Sequence, residues 1–172
     1  QAKLEATLII LLFTTSIVST LQVGGYITSI LLIMSSCLLM TRLFRWRVYS
    51  LRISHADVWS MAIGYAWLAI GLAVLGIELL FKMPLFIGIH CITLGALGSL
   101  SSSIMLKTTQ SRQTLNSTPF YLSISLMTAA TIFRISATSL GEFMMLALVL
   151  SALLWAINYG LILVSLVKRH YV

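Results

Sequence analysis

Two side chains that can bind a metal or an anion, His90 and Arg134, lie inside otherwise apolar stretches of this sequence. A neutral imidazole is a good ligand for haem iron and for copper. A guanidinium forms paired hydrogen bonds with carboxylates, and haem propionates are carboxylates. His90 is therefore a candidate metal ligand and Arg134 a candidate partner of a propionate or another anion, with haem or copper as the cofactor.

Each of these residues also has a simpler interpretation. His90 could form a hydrogen bond with a neighbouring helix, and Arg134 could extend to the membrane surface about one helical turn away. A membrane arginine with neither a partner nor water is costly, so Arg134 is a functional candidate by default. Tyr65 is a weaker cofactor-binding candidate, because its hydroxyl could equally bond to another helix.

The composition is that of a membrane protein. The chain has 172 residues, of which 59% are hydrophobic and 9% are charged, and a soluble domain of this size cannot bury so much apolar surface. The net charge of +7 does not indicate nucleic-acid binding, because basic residues collect in the cytoplasmic loops of membrane proteins. We predict an all-α, polytopic helix bundle that forms a single transmembrane domain over residues 1–172.

Six apolar segments are long enough to cross about 30 Å of hydrocarbon. They cover about residues 4–21, 26–43, 55–80, 85–106, 118–138 and 142–167. Nine of the eleven basic residues fall in the loops on one side, so both termini are predicted to be cytoplasmic. A short loop joins the fourth and fifth segments, which run in opposite directions. The topology therefore predicts that His90 and Arg134 share one pocket in the outer half of the membrane.

The fourth segment also carries a row of small residues behind His90. Cys91, Gly95, Gly98 and Ser102 recur at helical spacing. Rows of this kind let membrane helices approach closely, and a cofactor could use the same room. We expect this segment to be the centre of packing.

Four stretches, taken in order, resemble a known family. They are RLFRWR (42–47) with GYAWLAIGL (64–72), HCITLGALG (90–98) with Ile104-Met105, AATIFRI (129–135) and LLWA (153–156). Together they resemble the C-terminal half of the NnrS family over about residues 40–167. Its members are polytopic inner-membrane proteins described as containing haem and copper, and they are linked to nitric oxide metabolism and nitrosative stress in denitrifying bacteria.

The resemblance implies a multi-pass protein of the bacterial inner membrane, with His90 and Arg134 at the family's histidine and arginine positions. The chain departs from the family at two places. Ala62 stands where the family typically has a histidine, and residues 109–114 contain no histidine where the family usually has a Gly-His-Thr-Gly-Arg loop. We also expect the family's N-terminal half to be missing, as in a divergent relative, a split protein or a member reduced to a structural role.

Three functions follow, and whether the chain is an enzyme stays open. The first is an NnrS-like haem- or metal-binding membrane protein in nitric oxide or respiratory metabolism. The second is a cofactor-free accessory subunit that packs against other membrane subunits of a larger respiratory complex, which the missing histidines favour. The third, a small transporter or channel, has the least support, because the sequence shows no inverted repeat and no glycine or proline break near the membrane midplane.

The predicted topology can be tested by cysteine labelling. In a background carrying Cys37→Ser and Cys91→Ser, Lys82→Cys is expected to react with a membrane-impermeant maleimide in intact cells. Arg112→Cys is expected to react only after the membrane is opened, because its loop is predicted to be cytoplasmic. The reverse pattern of labelling would contradict the predicted orientation.

Overall fold

A computed structural model describes residues 2–20, 25–46, 55–109 and 117–170, without the side chains of residues 2–4, 16, 18–20 and 168–170. The described residues form six long helices, and two short 3₁₀ turns, Ala137–Ser139 and Gly141–Phe143, join the last two. The long helices are α1 (Ala2–Thr20), α2 (Gly25–Arg45), α3 (Ala56–Leu80), α4 (Ile87–Thr109), α5 (Ser117–Ser136) and α6 (Met144–His170). Residues 21–24, 47–54 and 110–116, which connect the predicted segments, lie outside the described residues.

The all-α prediction is confirmed, since the described part of the chain contains helices and turns but no strand. Five helices, α2 to α6, are long and apolar enough to cross a membrane. The remaining helix, α1, contributes a shorter apolar segment over Glu5–Thr15. The chain is thus a multi-pass membrane protein, while the sixth crossing and the cytoplasmic position of both termini stay predictions.

The fourth helix starts two residues later than predicted, because Leu85 and Phe86 form a turn before it. The Phe86 N–H donates to the Pro84 carbonyl in that turn. The helix begins at Ile87, where the Glu78 carboxylate accepts the backbone N–H groups of Ile87 at 2.9 Å and Gly88 at 3.1 Å. These two bonds satisfy donors that a helix start otherwise leaves unpaired.

The middle of α4 is a π-helix rather than a regular α-helix. Its first turn, Ile87–His90, and its last part, Ser99–Thr109, are α-helical, and Cys91–Gly98 between them is π-helical. Such wide turns are rare and are often found at functional sites. His90 is the last residue before the wide turn begins, so the change of pitch sets the direction in which the residues after it face.

The small residues of α4 pack closely against α3, which confirms the packing interpretation of their spacing. A Cβ atom at Gly88 would lie 2.7 Å from the backbone nitrogen of Leu75, and one at Gly95 would lie 2.8 Å from the ring of Trp67. From the other helix, a Cβ at Gly71 would lie 2.6 Å from Ile92. The helices can come this close only because the glycines have no side chain.

Polar contacts join α4 to α3 and α6 in the half of the bundle that lies away from His90. Lys107 of α4 forms an ion pair with Asp57 in the first turn of α3, at 3.0 Å. Deeper in the bundle, Ser60 of α3 is hydrogen-bonded to Ser103 of α4. On the other side of α4, the Asn158 amide of α6 donates to the Ser102 hydroxyl at 2.8 Å, and Ser101 is bonded to Tyr159 at 2.7 Å. The serines that follow the π-helix therefore join α4 to both of its neighbours.

The contact between α3 and α4 gives a stability prediction. Gly88→Ala is expected to lower the apparent Tm, because the new methyl group meets the backbone of Leu75, which cannot move aside as a flexible side chain would. The cost of such overpacking is roughly 1–3 kcal/mol. The matched control is Gly160→Ala in α6, where a Cβ atom meets nothing within 4 Å. Thermal unfolding in detergent, followed by circular dichroism, compares the two, and equal Tm values would contradict the close contact.

Candidate functional site

His90 and Arg134 line the same open cleft between α4, α5 and α6. The cleft has a volume of about 390 Å³. Its walls are formed by His90, Thr93 and Leu94 of α4, Arg134 of α5, and Ser151, Ala152 and Trp155 of α6. The prediction that the histidine and the arginine share one pocket is confirmed.

The imidazole of His90 is held by its ring face and leaves its nitrogens free. Its ring lies against Phe86 in an edge-to-face arrangement, with the ring centroids 4.5 Å apart. Within the described residues neither ring nitrogen forms a hydrogen bond. A half-buried imidazole with unused nitrogens can serve as a ligand, whereas the predicted alternative of a hydrogen bond to a neighbouring helix is not observed there.

The guanidinium of Arg134 is half-buried and has no protein partner among the residues that the structure describes. Its Nε atom is buried and forms no hydrogen bond. The chain has four acidic residues, and the other roles of three of them are clear. They are Glu5, paired with Arg42, Asp57, paired with Lys107, and Glu78, bound to the start of α4. The fourth, Glu142, is exposed and does not line the cleft. No described carboxylate therefore pairs with Arg134, which leaves its guanidinium available to an anion from a ligand, a lipid or another subunit.

Tyr65 is placed elsewhere, in a cluster formed by α1, α2 and α3. Its ring packs edge-on against Trp46 with centroids 5.1 Å apart, and the Arg42 guanidinium lies 5.7 Å from the Tyr65 ring and 5.5 Å from the Trp46 ring. Arg42 also pairs with Glu5 at 3.1 Å. Tyr65 does not line the cleft, so the structure does not bring this cofactor-binding candidate together with His90 and Arg134.

Two cleft residues of α6 are not predicted as site residues from the sequence. Ser151 donates a hydrogen bond to the Ala130 carbonyl of α5 at 2.7 Å, which holds the two helices together below Arg134. Trp155 packs against Tyr159 with ring centroids 4.8 Å apart. Trp155 belongs to the LLWA stretch that carried part of the family resemblance, and this was the available signal for it.

The described residues contain no group of three or more His, Cys, Asp or Glu side chains placed to hold a metal ion. Of these four residue types, only His90 is among the described residues that line the cleft. The described side chains of the cleft thus supply fewer ligands than a bare copper ion takes, which is several nitrogen or sulfur donors.

Comparison with protein families gives a match over nearly the whole chain. A family described as NnrS protein matches residues 1–169. The chain belongs to the NnrS family. The match includes α1 and most of α2, which lie outside the stretches that carried the resemblance in the sequence. No curated protein and no solved structure matches the chain.

The two departures from the NnrS pattern differ in what the structure shows of them. Ala62, at the position where the family typically has a histidine, is buried in α3 and does not line the His90–Arg134 cleft. An alanine offers no metal ligand at this position. The second departure, at residues 109–114, falls almost entirely outside the described residues.

The state of Arg134 gives a second stability prediction. Arg134→Leu is expected to leave the apparent Tm of the ligand-free protein unchanged or higher, because no protein hydrogen bond is lost and a buried unpaired donor is removed. Arg42→Leu is the control, and it is expected to cost about 1 kcal/mol because it removes an ion pair and two aromatic contacts. Thermal unfolding of both variants in one detergent is the measurement. A clear loss of stability in Arg134→Leu would show that the guanidinium has a structural partner.

Proposed function

We propose that this NnrS-family membrane protein binds haem in the His90–Arg134 cleft and acts in nitric oxide or respiratory metabolism in the bacterial inner membrane. His90 would be an axial ligand of the iron, and Arg134 would pair with a propionate. The link to nitric oxide comes from the family, and the cleft chemistry supports only the binding part of the proposal.

The observation that carries the proposal is the unpaired guanidinium beside an unused imidazole. Haem needs from a protein one or two axial ligands, and positively charged or hydrogen-bond-donating groups that pair with its carboxylates. The cleft offers one of each, in His90 and Arg134, and its remaining walls include the apolar side chains of Leu94 and Trp155. When bound, haem supplies an iron that exchanges electrons or binds a diatomic gas, depending on the ligands around it.

Copper is the less favoured cofactor of the two. A copper ion would rest on His90 alone within the described part of the chain, since no second histidine, cysteine or carboxylate lines the cleft. Any copper site would therefore need further ligands from another membrane subunit or from residues outside the described ranges.

A cofactor-free accessory subunit is the second candidate function. It is favoured by Ala62, which replaces a family histidine with a buried methyl group. In this case the cleft would be a packing site for another membrane subunit, and the partner would supply the anion that Arg134 lacks.

A difference spectrum tests the proposal directly. The protein, purified in mild detergent from cells with ample haem, is expected to show a Soret band and a reduced-minus-oxidised signal. His90→Ala is expected to lose the band or to shift it strongly, because the axial ligand is removed. His55→Ala is the matched control, since His55 is exposed at the start of α3 and lies outside the cleft.

Arg134→Leu separates the two roles within the cleft. It should retain a histidine-ligated spectrum but lose haem faster on dilution, because the propionate partner is missing. No haem in the wild type, or an unchanged spectrum in His90→Ala, would overturn the proposal and leave the accessory-subunit function.

A further inference from the structure

A second cavity lies on the other side of the serine contacts, again between α4, α5 and α6. Its volume is about 320 Å³, and its lining includes Leu106 of α4, Leu122 and Ser123 of α5, and Asn158 and Leu161 of α6. We refer to it as the Asn158 cavity. Its lining residues are mostly apolar, and none of them is charged.

Asn158 is the most deeply buried polar side chain of this cavity. The residue is only 1% exposed, and its amide nitrogen donates to the Ser102 hydroxyl at 2.8 Å. Its Oδ1 atom accepts no hydrogen bond from the residues that the structure describes. A carboxamide oxygen near the middle of a membrane helix is costly to leave without a donor. The cavity beside it is the space from which a donor can come.

The lining selects the class of molecule that can enter. Three lining side chains, Leu122, Leu161 and Val164, are also exposed on the outside of the bundle, which faces lipid in a membrane. A ligand can thus arrive from the bilayer, and it has to be soluble in lipid. Because the lining carries no charge, it offers no ion pair to a fatty acid carboxylate or a phospholipid phosphate.

The carboxamide of Asn158 can present either of its ends to the cavity. A hydroxyl both donates and accepts, so Ser102 can bind the amide nitrogen or, after a 180° turn of the amide, the carbonyl oxygen. In the first orientation the cavity presents an acceptor, and in the second it presents a donor. The pair can therefore bind a ring hydroxyl and a ring carbonyl at the same position.

We propose that the Asn158 cavity binds the ring of a lipid-soluble quinone or quinol, with its isoprenoid tail left in the bilayer. The ring is neutral, enters from lipid, and carries a carbonyl when oxidised and a hydroxyl when reduced. The cavity is at the small end of the usual range for small-molecule sites, about 300–1,000 Å³, which suits one substituted ring.

The Asn158 cavity is close to the His90–Arg134 cleft but is separate from it. Trp155 lines the cleft, Asn158 lines the cavity, and the two residues are one turn apart on α6. No residue lines both sites. The two binding proposals therefore rest on different residues, and each can be tested without the other.

The test is direct binding of decylubiquinone to the purified protein in quinone-free phosphatidylcholine nanodiscs. Saturable quenching of tryptophan fluorescence is expected, together with a rise in Tm. Asn158→Leu is expected to raise the Kd about fivefold to tenfold, because a hydrogen bond to the ring oxygen is lost. His90→Ala should bind decylubiquinone as the wild type does.

A second variant covers the case in which Asn158→Leu does not fold. Leu122→Trp places a large ring at the mouth of the cavity and is expected to abolish binding. Its control is Leu153→Trp, an exposed position on α6 that lines neither site and should leave the Kd unchanged.

Three results would overturn the proposal. The first is the absence of saturable binding in the wild type. The second is an equal affinity for dodecanol, which would mean that the cavity holds acyl chains. The third is an Asn158→Leu variant that binds decylubiquinone as tightly as the wild type, although Leu122→Trp abolishes binding. This result would exclude recognition of the ring oxygen by Asn158.

Discussion

The buried carboxylate of Glu78 joins the end of α3 to the beginning of α4. Glu78 is only 4% exposed, and it accepts the N–H groups of both Ile87 and Gly88. Burying a carboxylate is costly unless hydrogen bonds replace its water, and these two donors at a helix start provide that replacement. The contact fixes the start of α4 at Ile87. His90 therefore lies in the first turn of the helix.

The close packing of α3 against α4 follows from this starting point. Once α4 begins beside Leu75, each glycine in this contact faces a larger residue of the other helix, and a side chain on the glycine would not fit. One face of α4 is thereby used up by α3. Its other face is left for α5 and α6, where Gly98 packs against Met127 and hydroxyl and amide contacts join the helices. Both the His90–Arg134 cleft and the Asn158 cavity lie on the side of α4 that faces α5 and α6.

The His90–Arg134 cleft contains an unpaired positive charge, because the chain has few acidic residues that could pair with Arg134. Three of the four are bound elsewhere in the described structure, and Arg134 is left with no protein anion. The cleft at this arginine therefore suits an anionic group. The Asn158 cavity has no charged lining residue and suits a neutral one. The two sites lie close together on α6, where Trp155 and Asn158 are one turn apart, but they share no lining residue.

Much of the architecture could be predicted from the order of the residues. Apolar length determines which segments can cross a membrane, and polar loops and prolines separate those segments, so the helix bounds were close to those observed. The shared cleft of His90 and Arg134 also followed, because topology and segment length set the depth of a residue in a bilayer. The NnrS motifs could also be recognised from the sequence, because they are short stretches of residues in or next to these apolar segments.

Other features depended on the packing of distant segments and could not be predicted in this way. The π-helical turn after His90, the binding of Glu78 to the start of α4 and the separation of Tyr65 from the cleft all depend on how helices rotate against each other. Hydropathy sets the length and depth of a membrane helix but hardly its rotation, because lipid and protein interior are similarly apolar. The sequence by itself determined which segments are helical and apolar enough to cross a membrane. Tertiary contacts decided which of them face one another.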